Sequence, residues 1–178
     1  MKKLEVDNSW TLFLDRDGVI NQRNFDGYIT DVNDFIFLPN VLQAIKTLSQ
    51  RFGRIIIVTN QQGIGKKLMS KSNLEEIHRY MVDEINNSGG CIDAIFVATN
   101  LKGIEPDRRK PNPDMAIEAQ KRFPEIDFKK SVMVGDTDSD LKFGINLGMK
   151  TALIYSKEQV SIEPDFNLNS LNDLIPYL

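Results

Sequence analysis

The sequence predicts an α/β fold built around a central parallel β-sheet. The first observation is that short β-rich runs alternate with amphipathic stretches along the chain. This alternation is typical of βαβ crossovers, in which consecutive strands run parallel. The second observation is that the apolar run Trp10–Leu14 leads directly into the acidic segment Asp15–Gly18. A strand this short and apolar is expected in the middle of a parallel sheet, where both of its faces are buried.

The individual elements follow the same alternation. The predicted strands are Trp10–Leu14, Ile55–Thr59, Ala94–Ala98, Ser131–Val134 and Thr151–Ile154. The predicted helices lie near Asn40–Arg51, Ser72–Ser88, Pro113–Phe123, Thr137–Leu147 and Ser170–Leu178. In the second helix, Ser72 and Glu75 have the spacing of a capping box, and the pair Gly89-Gly90 is expected to end the helix.

Composition indicates an ordinary soluble globule. The chain has 178 residues, 41% of them hydrophobic and 26% charged, with a net charge of −3. We expect one domain, residues 1–178, acting as a monomer or a small homo-oligomer. There is no basic stripe for nucleic acid and no run near the roughly 20 apolar residues that span a membrane. A signal peptide is not evident, so the expected location is the cytoplasm. The single cysteine, Cys91, excludes an internal disulfide framework.

The acidic pair Asp15 and Asp17 is the first candidate for chemistry. Open α/β sheets place their sites at the carboxyl ends of the strands, which is where this pair lies. Two carboxylates about 4 Å apart repel by roughly 4 kcal/mol at an effective dielectric constant of about 20, so they need a cation or a shared proton. One carboxylate could act as a nucleophile while the other donates or accepts a proton. The alternative is that both residues only open a turn.

Three further segments carry polar groups to strand ends. Thr59 ends the second strand and Asn60 follows it, and at this point a hydroxyl and backbone N–H groups can hold phosphate oxygens or form a simple polar turn. The cationic run Arg108–Lys110 precedes a predicted helix start and could neutralise an anion, or be an exposed basic turn. Asp136 follows the fourth strand and opens the acidic series Asp136–Asp140. This series lacks the glycine and glutamate of a calcium loop, and Asp136 is instead expected to ligate Mg²⁺.

Taken together, the four segments resemble the haloacid dehalogenase superfamily of phosphatases in order and spacing. The resemblance implies a three-layer α/β/α, Rossmann-like fold. It also implies that no cap domain is present, because the intervals Asp17–Asn40 and Ala98–Lys110 have only the length of loops. Within the superfamily, Asp-Arg-Asp-Gly and Thr-Asn-Gln resemble the branch that contains the phosphatases of heptose 1,7-bisphosphate and of histidinol phosphate.

The resemblance also implies roles for individual residues. Asp15 is expected to attack phosphorus and form an aspartyl-phosphate, while Asp17 protonates the leaving oxygen and then activates water. Thr59 and Lys110 are expected to hold the transferring phosphoryl oxygens. Mg²⁺ is expected on Asp15, on Asp136 and on the backbone carbonyl of Asp17.

Two residues near this set have expected supporting roles. Asp140 is expected to orient Lys110 or a water on the metal. The only histidine, His78, lies on the apolar face of its helix and is expected to pack there rather than to bind a metal.

The substrate implied by the resemblance is a small phosphorylated metabolite. Heptose 1,7-bisphosphate is the leading candidate and histidinol phosphate the alternative. Candidate substrate contacts are Phe25, Asp26, Tyr28, Asn60 and Arg109. No structural zinc is expected, because the segment 98–108 contains neither cysteine nor histidine where that branch usually binds zinc. A phosphoacceptor signalling domain is an alternative of another class, but Ala98-Thr99-Asn100 occupies the point where such domains place their acceptor.

Overall fold

A computed structural model describes residues 3–178 of the chain. Its strands are β1 (Thr11–Leu14), β2 (Arg54–Asn60), β3 (Ala94–Ala98), β4 (Ser131–Gly135), β5 (Lys150–Ile154) and β6 (Phe166–Leu168). Within these residues the strands form one parallel sheet in the order β3-β2-β1-β4-β5-β6. The chain builds outward from β1 to one edge and then returns to place β4 on the other side of β1. This reversal opens a crevice at the carboxyl ends of β1 and β4.

Strand β1 lies between β2 and β4 in the middle of the sheet, and its residues are apolar except for Thr11. Each of its four residues is buried. Leu12 and Leu14 contribute to the core on one face of the sheet, and Phe13 contributes to the core on the other. Leu14 pairs in register with Ile57 on one side and Val134 on the other. The backbone N–H of Asp15 continues this pairing by donating to Val134 O at 2.9 Å.

Helices cover both faces of the sheet. They are α1 (Val41–Leu48), α2 (Gln62–Gly65), α3 (Lys71–Asn87), α4 (Asp114–Arg122) and α5 (Asp138–Leu147). Helices α1 and α3, with the 3₁₀ helix Leu171–Tyr177, pack on the face that carries Leu12. Helices α4 and α5 pack on the face that carries Phe13. The three-layer α/β/α class predicted from the sequence is confirmed.

Several local predictions differ from the structure. Strand β6 was not predicted, because a run of three residues carries too little periodicity to be recognised. The predicted capping box of α3 is wrong: the helix begins at Lys71, so Ser72 already lies inside it. Ser70 is the N-cap, and its Oγ accepts from the backbone N–H of Asn73 at 3.0 Å. Gly89, with φ of +85°, follows the end of this helix as predicted.

The segments that could hold a cap domain contain very little regular structure. Between β1 and α1 the chain forms a single 3₁₀ turn, Val32–Asp34. Between β3 and α4, residues 99–113 form no helix or strand. The carboxyl edge of β1 and β4 is therefore approached through loops. Across the described range 3–178, no helix has the length and apolar character needed to cross a membrane.

Candidate active site

A buried lysine connects two carboxylates at the carboxyl edge of the sheet. Lys110 is 4% exposed, and its Nζ lies 2.8 Å from Asp15 Oδ1 and 2.6 Å from Asp140 Oδ1. The same Nζ donates to Val58 O at 2.7 Å. Burial by itself lowers the pKa of Lys110, but the Asp140 and Asp15 carboxylates raise it above its usual value. The lysine therefore stays charged.

Asn60 fixes the backbone of this lysine. Its Oδ1 accepts from Lys110 N at 2.9 Å, and its Nδ2 donates to Lys110 O at 3.2 Å. Both ends of the Asn60 amide are thus engaged within the protein. The expected role of Asn60 as a substrate contact remains a prediction.

Three carboxylates converge beside the lysine. Asp15, Asp136 and Asp140 are buried, and one ligand oxygen from each lies within 4.8 Å of the others. Burial raises the pKa of Asp15 to about 6, with Lys110 opposing the shift. Burial, Asp15 and Asp140 raise the pKa of Asp136 to about 7. A cluster of hard oxygen donors with surplus negative charge has the chemistry that Mg²⁺ prefers.

Asp140 is the least available of the three for a cation. Its Oδ1 accepts from Lys110. Its Oδ2 accepts from Thr137 N at 3.1 Å and from Thr137 Oγ1 at 2.6 Å, which forms the capping box of α5. Both oxygens therefore have partners, and the geometry favours an orienting role toward Lys110. Asp15 and Asp136 are the candidate side-chain ligands for a metal, which at Asp136 would replace the contact of the partly exposed Arg23 with both carboxylate oxygens.

Arg23 lies against Asp136, and no motif of the sequence predicts it. Its Nη1 is 3.1 Å from both carboxylate oxygens of Asp136, and its Nη2 is 3.2 Å from Glu158 Oε1. Gly18 is also required here, because a Cβ at this position would lie 2.4 Å from Asp136 Oδ2 and the residue has φ of +92°. The only sequence signal for Arg23 is its place in the long loop after the acidic pair.

Asp17 is held by donors on every side. Arg16 Nη2 lies 2.9 and 3.0 Å from its two oxygens. Asn21 Nδ2 donates to Asp17 Oδ1 at 2.9 Å, and Gln61 Nε2 donates to Oδ2 at 2.8 Å. Burial alone raises the pKa of Asp17, but Arg16 and these hydrogen bonds lower it below its usual value. The carboxylate is therefore ionised before any substrate binds.

Gln61 links Asp17 to Thr59. The Nε2 that donates to Asp17 also donates to Thr59 Oγ1 at 2.9 Å. Thr59 is 1% exposed and lies below the surface of the site. The sequence predicts Thr59 as a site residue from its position at the end of a strand, and it contains no motif that predicts the bridging role of Gln61.

A cavity of about 630 Å³ opens above these groups. Asp15, Asp17 and Lys110 line it, and among the predicted substrate contacts Phe25, Tyr28, Asn60 and Arg109 also line it. Asp26 is exposed and is not among the lining residues. Asp136 is fully buried beside Arg23. The structure thus brings the predicted acids and lysine together, with four of the five predicted contacts around the opening.

The raised pKa values of Asp15 and Asp136 predict a pH-dependent stability for the metal-free protein. Both groups have a folded pKa above the usual value of 3.8, so the folded state binds more protons than the unfolded state. Their contribution is fully present below about pH 4 and is lost as the pH rises through 6 and 7. We expect the melting temperature in chelator to fall over this interval.

Magnesium should reverse this loss. At 100 times its dissociation constant, a bound ion stabilises by about 2.7 kcal/mol. We expect Mg²⁺ to raise the melting temperature more at pH 7.5 than at pH 5, because protonated carboxyls bind the ion weakly. Asp136→Asn is the matched variant and should show a smaller pH dependence. An equal Mg²⁺ shift at both pH values would contradict the assignment of these carboxylates.

Comparisons with known proteins agree with this fold and site. A family model described as HAD-hydrolase-like matches residues 107–174. The D-glycero-alpha-D-manno-heptose-1,7-bisphosphate 7-phosphatase of Mycobacterium bovis is 36% identical over 79% of this chain and 74% of its own length. The enzyme of the same name from Burkholderia mallei is 32% identical over 94% of this chain and 92% of its own length.

A solved structure gives the same result. The D,D-heptose 1,7-bisphosphate phosphatase of B. bronchiseptica, complexed with magnesium and phosphate, superimposes with a TM-score of 0.83 at 28% identity. The match covers 92% of this chain and 94% of that one. The chain therefore belongs to the haloacid dehalogenase superfamily. Within it, the chain is a phosphatase, as the sequence motifs predicted.

Proposed function

We propose that the chain is a Mg²⁺-dependent phosphomonoesterase that acts on D-glycero-D-manno-heptose 1,7-bisphosphate. The observation that carries the reaction is the position of Asp15, which follows β1, lines the cavity and is bonded to the buried cation of Lys110. The substrate is proposed from the relatives, several of which are named for this sugar bisphosphate. The oligomeric state remains a prediction.

Asp15 acts as the nucleophile. One of its oxygens is bonded to Lys110, and the other attacks phosphorus while the bond from phosphorus to the sugar oxygen breaks. This step gives an aspartyl-phosphate on Asp15. Lys110 is within reach of the phosphoryl oxygens, where a fixed cation stabilises the charge of the transition state. Asp15, Asp136 and the backbone carbonyl of Asp17 would hold a Mg²⁺ ion, which would supply further positive charge to the site when bound.

Asp17 carries the proton in both half-reactions. It is ionised before substrate binds, as its lowered pKa indicates. The negative charge of an arriving phosphoryl group raises that pKa again, which favours the protonated form. Asp17 takes up this proton from solvent or from the phosphoryl monoanion of the substrate, and gives it to the leaving sugar oxygen. The resulting carboxylate takes a proton from the water that attacks the aspartyl-phosphate.

The remainder of the substrate lies in the cavity above the acids. Phe25 and Tyr28 line this part of the cavity, and Arg109 adds a cation. Within the described residues, Arg109 Nη1 is buried without a hydrogen-bond partner. An anionic or hydroxyl-bearing substrate would give this donor the partner that it lacks. Asp26 and Asn60 remain proposed contacts of the same sugar.

The function is tested by a phosphate-release assay with several substrates. Heptose 1,7-bisphosphate, histidinol phosphate and common sugar monophosphates are compared in Mg²⁺ and in chelator. We expect the heptose bisphosphate to have the highest kcat/KM and the chelator to abolish turnover. A higher kcat/KM for histidinol phosphate would identify that compound as the substrate instead. Undiminished turnover in chelator would exclude a requirement for Mg²⁺. Metal analysis is expected to find no zinc, because the segment 98–108 has no cysteine or histidine.

A further inference from the structure

We propose that His78 is a positioning residue that acts on the reaction through Arg16. Arg16 holds the carboxylate of Asp17, and His78 holds Arg16. The inference deepens the proposed function, because it depends on Asp17 carrying the proton in that reaction. It adds a residue of helix α3 that the motifs of the site do not contain.

The guanidinium of Arg16 lies between Asp17 and His78. Its side chain is fully buried, and its Nη2 contacts both oxygens of Asp17. On the other side, Nη1 lies 3.2 Å from His78 Nε2. The Phe35 ring lies 5.8 Å from the guanidinium carbon and contributes a cation–π contact. The backbone of Arg16 does not determine the direction of its long side chain. The contact between Nη1 and His78 orients the guanidinium so that Nη2 faces Asp17.

The chemistry of this contact determines the state of the histidine. A guanidinium has only donors, so His78 Nε2 must accept and must carry no proton. Its ring proton therefore lies on Nδ1. Burial, followed by the positive charge of Arg16, lowers the pKa of His78 to about 3, and Asp17 only partly opposes this shift. The ring is therefore neutral at neutral pH, and Nε2 is available as an acceptor for Arg16.

The surroundings of both residues make this acceptor hard to replace. His78 follows the buried Ile77 on α3, so a rigid helix positions its ring. Arg16 Nε is already buried without a partner within the described residues. An apolar side chain at position 78 would leave a second buried donor of the same guanidinium unsatisfied. The guanidinium of Arg16 would then lose its preferred orientation toward Asp17.

The test compares two substitutions of similar size. His78→Leu removes the acceptor, whereas His78→Gln keeps an acceptor oxygen on a side chain of similar reach. We expect His78→Leu to lower kcat by about 10- to 100-fold, the range typical of lost outer contacts, with KM nearly unchanged. We expect His78→Gln to recover most of this loss. Arg79→Gln, on the exposed side of the same helix, is the matched control and should behave as wild type.

A purely structural role predicts a different pattern. In that case both substitutions would reduce activity in proportion to their loss of melting temperature, and the glutamine would give no rescue. That pattern would overturn the inference, as would a rise in KM at constant kcat. If the wild-type protein releases no phosphate from any substrate, it is the proposed function that fails.

A second measurement on the wild-type protein is independent of turnover and of the folding of any variant. His78 is the only histidine of the chain, so an untagged, ¹⁵N-labelled sample gives a single imidazole signal in long-range ¹H–¹⁵N spectra. We expect the neutral Nδ1–H tautomer at neutral pH. The Nε2–H tautomer, or a charged ring, would overturn the inference because neither form can accept from Arg16.

Discussion

Asp15→Asn is expected to lower kcat by at least about 10⁴-fold, because it removes the proposed nucleophile. The amide has nearly the volume of the carboxylate but cannot attack phosphorus. Lys110 keeps Asp140 and Val58 O as partners, so the buried cation is not left unpaired. The substitution also removes one of three mutually repelling carboxylates. We therefore expect the free energy of unfolding in chelator to be equal to or above that of wild type.

Phosphate release and thermal unfolding, measured on the same preparation, test this expectation. Asp83→Asn is the matched control, because Asp83 is an exposed acid of α3 that makes no contact with the site. It should retain wild-type kcat and melting temperature. Turnover by Asp15→Asn at the wild-type rate would exclude Asp15 as the nucleophile. A large loss of melting temperature would instead indicate that the substitution acts on the fold.

The sheet could be predicted from the sequence because burial on both faces leaves a strong pattern. The runs Trp10–Leu14 and Ile55–Thr59 are too apolar to lie anywhere but in the centre, and the structure places strands there. Strand β6 has only two buried apolar residues, Phe166 and Leu168, with exposed Asn167 between them, and this is too short a pattern to predict a strand. Its position at the edge of the sheet depends on pairing with β5, which no local pattern reveals.

The residues of the site also fall into those that the sequence predicts and those that only the structure reveals. Asp15, Asp136 and Lys110 could be predicted because the first two follow central strands directly and the third belongs to a motif with fixed neighbours. Arg23 and Gln61 could not, because no sequence motif predicts their contacts and only the fold brings them to their partners. Arg23 meets Asp136 across 113 positions, and Gln61 meets Asp17 across 44. Such contacts are consequences of tertiary packing, and the residues themselves are ordinary in loops.

The state of Asp17 also required the structure. The sequence places an acid beside Asp15, and repulsion between the two would be expected to favour a shared proton. The structure adds donors from Arg16, Asn21 and Gln61, which lower the pKa of Asp17 below its usual value. The two neighbouring acids therefore have opposite shifts, since the pKa of Asp15 is raised. The proposed reaction needs the reverse in the substrate complex, with Asp15 ionised and Asp17 protonated, so the bound cation and the phosphoryl charge must shift both pKa values.

Asp17→Asn is expected to convert the enzyme into one that accumulates its own phosphorylated form. The loss of acid–base assistance should lower kcat on sugar phosphates by about 10²- to 10⁴-fold. An aryl phosphate with a weakly basic leaving group needs no acid for the first step, so Asp15 can still become phosphorylated. Hydrolysis of the aspartyl-phosphate needs a base and should be slow. Intact mass spectrometry after quenching should then show one added phosphoryl group.

The double variant Asp15→Asn/Asp17→Asn is the control for the site of phosphorylation, because it lacks the acceptor and should show no adduct. Folding of the single variant is checked by thermal unfolding, since Arg16 loses a charged partner while Asn21 and Gln61 can reorient around an amide. If the folded variant turns over sugar phosphates at the wild-type rate, Asp17 does not carry the proton. If turnover is slow but aryl phosphate gives no adduct, the aspartyl-phosphate is still hydrolysed without Asp17. In that case Asp17 acts only in the first step, and the base for hydrolysis lies elsewhere in the site.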